Sequence, residues 1–223
     1  MNRGSRENGL RWVADPRSDS FTLTLSEGLS PYELLRSVGA EERHIVPLTR
    51  HAAYDLLLRT EEDHISDLDF LDWEDDAAVA RLTSGGFLPA PPDAIVRAGS
   101  VAGWAYALEE FTCHTSTYVA ALSERGRAFV VHRNAKGFSR VSYGLHGEVV
   151  SSFEPGLPHL GDGAPAEVAL GFVHRGDEVG DVAFLRFLEG ELGIYLPWEE
   201  TEAELPAVAF THTAGEDQIV VNS

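Results

Sequence analysis

Between Asp67 and Asp76 the chain places six carboxylates in ten positions, Asp67, Asp69, Asp72, Glu74, Asp75 and Asp76, around Leu68, Phe70, Leu71 and Trp73. Side chains of that type at that density can hold a hard cation or present a negative surface to a basic protein. The cation reading fails on spacing. A calcium loop needs Gly at its sixth position for a sharp turn and a late Glu, whereas Phe70 and Leu71 break that pattern here. Two readings stay open. One is a solvated acidic face whose Leu68, Leu71 and Trp73 anchor to the core; the other is an acidic docking surface with an aromatic anchor for a basic partner. Asp67, Asp69, Asp72, Trp73, Glu74, Asp75 and Asp76 are the partner-binding candidates.

Other reactive side chains do not assemble into a recognisable set. No two of the nine histidines have the i, i+4 spacing that puts two imidazoles on one helical face, and His44 and His51 are separated by Pro47. No metal ligand and no cofactor is assigned. Folding could gather His132, His146 or His159 near Glu148 or Glu154, which keeps a small hydrolase open as the alternative function. The run Gly99-Ser100-Val101-Ala102-Gly103 lacks the strand and the spacing of a nucleophile elbow, so no catalytic residue is assigned. Cys113, beside His114, reads as a buried, inert thiol at the end of an apolar helix. Around one expected hairpin, Arg133, Lys136 and Arg140 are weak anion-binding candidates; the plain alternative is a turn balanced by nearby acids.

The bulk properties narrow the partners. With 36 acidic against 17 basic residues the formal charge is -19, which repels both a phosphate backbone and an anionic membrane surface. Nucleic acid and membrane are therefore the least expected partners. One cysteine permits no internal disulfide, no run of about 18 apolar residues spans a bilayer, and residues 1–9 lack the apolar stretch of a signal peptide. A cytoplasmic setting is expected, with oligomeric state left open.

The elements that must position these residues are written in local signals. Leu10 to Ala14 reads as a short strand, and Phe21, Leu23 and Leu25 alternate with Thr22 and Thr24 as a half-buried strand does. Ser30-Pro31-Tyr32-Glu33 supplies a capping box for a helix from Pro31 to Val38, stopped at Gly39. A second helix is expected within His44 to Thr60 and a short helix or turn at Ala77 to Leu82. Gly103 to Phe111 has Trp104, Ala107, Leu108 and Phe111 at helical spacing. Four strands follow, Thr115–Ser123, Arg127–Arg133, Phe138–Tyr143 and Glu148–Phe153, separated by turn signals at 124–126, 134–137 and 146–147. Arg127–Arg133 is apolar on both faces and so central, while Phe138–Tyr143 belongs nearer an edge or a solvated face. Pro155 to Pro165 reads as an extended loop, a helix runs from Glu178 or Val179 to Leu192, and Ala207–Phe210 and Gln218–Val221 are terminal strand candidates.

Three of these pieces resemble a widespread, uncharacterised actinobacterial family known only as a domain of unknown function. They are Phe21 to Leu25 with Gly28 to Leu35, the Gly103-Trp104 helix start, and Tyr143 to Glu148 continuing into Ser152-Phe153-Glu154-Pro155. The likeness covers residues 20 to 196. It implies an α+β domain, and it carries no activity, substrate or site residue to this chain. The acidic segment Glu61 to Asp76 departs from that pattern.

The expected fold class is α+β: a disordered start over 1–9, then a single domain over 10–223. Its core is a central antiparallel sheet of about five to six strands, flanked by three or more helices beginning near Pro31, Gly103 and Val179. The expected function is non-catalytic: an acidic intracellular protein-binding protein, of adaptor or immunity type, that engages a basic partner. A scaffold assembling through its sheet edge is a third reading.

Overall fold

Alternation does make Phe21–Glu27 a strand, β1, but both of its faces are buried. Phe21, Leu23 and Leu25 point into one apolar layer, while Thr22, Thr24 and Ser26 are equally enclosed on the other side. β1 is the middle strand of nine in the computed structural model, which describes residues 9–14, 20–60 and 62–211. Of the expected disorder over residues 1–9, residues 1–8 lie outside the described residues, as does the strand candidate Gln218–Val221, while Gly9 is described and buried.

After β1 come α1 (Pro31–Ser37), β2 (Val46–Leu48), α2 (Arg50–Leu58), α3 (Asp76–Ser84), β3 (Ala94–Val101), β4 (Trp104–Glu110) and α4 (Val119–Leu122). The remainder is β5 (Arg127–Arg133), β6 (Ser139–Leu145), β7 (Glu148–Glu154), β8 (Leu157–Gly163), α5 (Ala166–Leu170), α6 (Gly180–Leu192), α7 (Trp198–Glu202) and β9 (Leu205–Phe210). The sheet order is β2-β9-β3-β4-β1-β5-β6-β7-β8, with each neighbouring pair antiparallel.

The α+β class with an antiparallel sheet is therefore observed, and the strand count rises from five or six to nine among the described residues. Several local expectations are corrected. Trp104–Glu110 is a strand, because Ala102 and Gly103 both take positive φ, 49° and 82°, and close a two-residue hairpin back onto β3. A strand covered on both faces is apolar at both parities, which helical spacing mimics. Thr115–Ser123 is a 3-10 turn (His114–Tyr118) running into α4, and Leu10–Ala14 contains a 3-10 turn over Arg11–Ala14. β8 occupies most of the expected Pro155–Pro165 loop and forms one edge of the sheet, so β6 is interior.

Helices cover both faces. α6 lays Phe184, Leu185 and Leu188 over Phe129, Tyr143 and Phe153, with Trp12 and Val13 of the N-terminal turn in the same cluster. On the opposite face α1 and α4 rest on Ala98, Ala105, Ala107 and Ala128, small residues that let the helices come close. Gly144 lets α4 come close: a Cβ there would lie 2.7 Å from Ser123 Oγ and 2.8 Å from the Val119 carbonyl oxygen. α2 and α3 bury Leu56 and Leu82 with Phe87, Ile95 and Ala207 at the β2 end.

Glu109, only 2% exposed, binds the α4 side together. Its carboxylate accepts from His114 N at 2.7 Å, Thr112 Oγ1 at 2.9 Å, Thr115 N at 3.0 Å and Thr115 Oγ1. Thr24 Oγ1 meets Thr115 Oγ1 at 2.7 Å, Thr22 Oγ1 donates to Thr112 O, and Ser26 Oγ donates to Leu122 O. The polar parity of β1 thus holds the 112–122 segment on the sheet, and the N–H groups that this carboxylate gathers favour a helical turn there over an extended strand.

Two outcomes are expected. Glu109→Gln offers one acceptor oxygen and turns an amide N–H₂ toward donors, so chemical denaturation should show a loss of about 1–3 kcal/mol, well above that of Glu110→Gln. At the other end of the sheet, the backbone and hydroxyl of Ser30, with Arg125 alongside, bring the Glu33 carboxyl from 4.5 down to about 2. A carboxyl held down in this way stabilises the fold fully above pH 4.5 and loses that contribution as pH falls toward 2. Melting curves of wild type and Glu33→Gln should therefore differ at neutral pH and converge across that window; a constant gap contradicts the assignment.

Candidate functional site

The acidic segment between α2 and α3 is built from turns, with one 3-10 turn at Ile65–Asp67. Leu68 and Leu71 are buried among Leu56, Leu82 and Phe87 and pin it to the core. Trp73 is not an anchor of this kind. It stands 58% exposed.

The carboxylates divide by what they bond. Asp63 accepts from Thr60 N at 2.7 Å and Thr60 Oγ1 at 3.0 Å, and these bonds hold its carboxyl below the ordinary value. Asp67 accepts from His64 N, Asp72 from Glu74 N, and Asp75 caps α3 through the N–H groups of Ala77 and Ala78, both at 3.0 Å. Each of these four closes a turn or a helix end. Asp69, Glu74 and Asp76 are exposed, and no hydrogen bond or ion pair engages their carboxylates among the described residues. None of Asp67, Asp69, Asp72, Glu74, Asp75 and Asp76 pairs with Arg, Lys or His among those residues. The six form one uncompensated negative surface around an exposed indole.

Beside it lies a half-open groove of ≈ 360 Å³. Val46 and Leu48 of β2, Phe70 of the acidic segment, and Ala78 and Leu82 of α3 supply its apolar walls. Arg81 and Glu204 supply one charge of each sign. This groove was not read from the sequence. Phe70, set between acids, and Ala78 with Leu82 at i, i+4 were the available signals, but their convergence depends on β2 lying against β9.

The remaining candidates are dispersed. Arg133 pairs at 3.3 Å with the fully buried Asp181 and lies over the Phe21 ring, so it is part of the packing of α6 against the sheet. Arg140 donates to Ser152 Oγ at 2.8 Å and to Asp162 at 2.6 Å, and Lys136 lies in the exposed β5–β6 turn. Nearby acids thus engage Arg133 and Arg140. His132 meets Thr22 Oγ1 at 2.9 Å, and burial holds its imidazole below the ordinary value against the pull of Phe21 and Glu109. His146 lies in the β6–β7 turn, past the end of β6 opposite to the one that pairs with His132, roughly 20 Å along the strand. His159 is on the outer strand β8. Among the described residues no three His, Cys, Asp or Glu side chains could share a metal ion. Cys113 is exposed, which corrects the expectation of a buried thiol; the segment before it is a strand that ends at Glu110. Ser100 is an exposed strand residue on β3. No helix of the described residues is long and apolar enough to cross a membrane.

The chain belongs to the family of unknown function DUF6461, whose family model matches residues 9–175. That span includes the acidic segment. No curated protein and no solved structure matches the chain.

The division among the acids predicts different costs for similar substitutions. Asp75→Ala removes the α3 cap and should cost about 0.5–2 kcal/mol in chemical denaturation. Asp69→Asn with Glu74→Gln should leave the midpoint essentially unmoved, within about 0.5 kcal/mol.

Proposed function

We propose that this chain is a non-catalytic, intracellular protein-binding protein of adaptor or immunity type that captures a basic partner through the Asp67–Asp76 surface. The observation that carries the reading is the exposed Trp73 among carboxylates that have no cationic partner in the described chain. An indole is costly to leave in water and is among the side chains that dominate interface energy when a partner covers them. The carboxylates around it supply long-range attraction and orientation. Because Leu68 and Leu71 pin the segment, less chain entropy is lost when a partner orders it further. The single cysteine and the formal charge of -19 support a reducing compartment and a partner of opposite sign.

The test uses variants that leave the fold alone. Immobilised wild-type protein should retain basic polypeptides, polylysine among them, in low salt and release them as ionic strength rises. Asp69→Asn with Glu74→Gln should weaken retention and flatten its salt dependence, and Trp73→Ala should weaken it about tenfold or more. Retention that is indifferent to salt and to both variants, or no retention of any basic polypeptide, would defeat the proposal.

A further inference from the structure

We infer that the groove between β2, Phe70 and α3 seats the apolar side chains of a cationic amphipathic helix on the partner protein. The inference rests on the reading above and deepens it, since it says what the partner must carry besides positive charge.

The groove and the acidic surface are one construction. Phe70 forms a wall while its neighbours Asp69 and Asp72 face outward, and α3, which forms the opposite wall through Ala78 and Leu82, begins at the Asp75 cap. A segment laid across this region meets the Phe70 and Ala78 walls of a groove that also carries Arg81 and Glu204, and the carboxylates of Asp69, Glu74 and Asp76, unpaired among the described residues, flank those walls in sequence. Its own complementary pattern is apolar residues on one face with Lys or Arg beside them. At ≈ 360 Å³ the groove sits near the small end of the roughly 300–1,000 Å³ typical of binding clefts, suited to a few side chains.

The alternative way to use this side of the sheet is strand addition along β2, and the register opposes it. Pro47 stands directly opposite Pro206 of β9. Neither has an N–H, so this position is a non-hydrogen-bonded pair, and the backbone groups of Val46 and Leu48 turn inward to β9. The outward edge at Pro47 therefore offers a carbonyl and no donor. A partner that cannot extend the sheet here must bind through side chains, which is how a helix in a groove is held.

Labelled synthetic peptides provide the test: a Leu/Lys amphipathic helix, the same peptide with Ser for Leu, and the same peptide with Glu for Lys. Fluorescence anisotropy should show the Leu/Lys peptide binding and the Ser/Lys peptide about tenfold weaker at equal charge. Ala78→Trp, which fills the groove, should weaken the Leu/Lys peptide about tenfold while leaving its salt dependence intact. Should Ala78→Trp fail to melt cooperatively, the comparison of the Leu and Ser peptides on the wild-type protein decides. Equal binding of those two peptides, with loss of binding in Asp69→Asn/Glu74→Gln, overturns the groove and leaves the acidic surface standing. Equal binding of the Leu/Lys and Leu/Glu peptides, or no binding of the Leu/Lys peptide at low salt, overturns both.

Discussion

A carboxylate buried without a cation is the constraint on which one whole face of this protein depends. Glu109 has no Arg or Lys partner among the described residues, and a bare charge at that depth would be prohibitive. Four donors from Thr112, His114 and Thr115 offset the lost water, and they can do so only if the chain after β4 turns back tightly. That turn delivers α4 onto Gly144, where a side chain would hold it off, and sets Leu122 O over Ser26. The hydroxyls of β1 then have partners. One satisfied acid, three strand hydroxyls and one glycine form a single interlocking arrangement, and each would be a liability without the others.

The opposite face of the sheet, one residue away on the neighbouring strand, handles a buried cation in a similar way. Arg97 is almost fully enclosed and donates to the carbonyls of Leu48, Thr201 and Ala203, which tie β2 and the end of α7 to β3. Burial brings its guanidinium down to about 10, still far above neutrality. Arg50 stacks on Trp198 at 4.1 Å and pairs with Glu110 at 2.7 Å just outside it. The formal excess of acid is thus unevenly employed. Glu27, Glu33, Glu109, Glu110, Asp181 and Glu189 all serve internal contacts. Asp69, Glu74 and Asp76 serve none among the described residues; dispersed acids such as Glu148, Glu167 and Glu199 are idle too, but these three fall within eight positions beside Trp73.

What was legible in the sequence was whatever had a local cause. The Ser30 capping box, the stop at Gly39, the β5–β6 turn and a helix within His44 to Thr60 follow from residues within a few positions of one another, and each is present. Arg127–Arg133 is central because apolar residues at both parities need cover on both sides. The errors lie where tertiary contacts decide. Trp104–Glu110 carries a helix-like spacing that two neighbouring strands and two helical layers absorb equally well. The strand propensity of Thr115–Ser123 yields to a carboxylate supplied by β4. β8 is too polar and too rich in Gly and Pro to announce itself, and only its pairing with β7 makes it a strand. For the candidate site, the acids and Trp73 were visible, whereas their sorting into turn-builders and idle charges required the hydrogen bonds.

The two outer strands of the sheet differ in kind. β2 is three residues long with Pro47 at its middle, while β8 runs for seven residues with one side unpaired among the described residues. β8 also carries Pro158, but near its start, so the 159–163 stretch is left as the one edge free to pair among the described residues. Should two molecules join along β8, the resulting body would expose only its proline-blocked ends, so growth would stop at a closed pair and a fibre could not propagate.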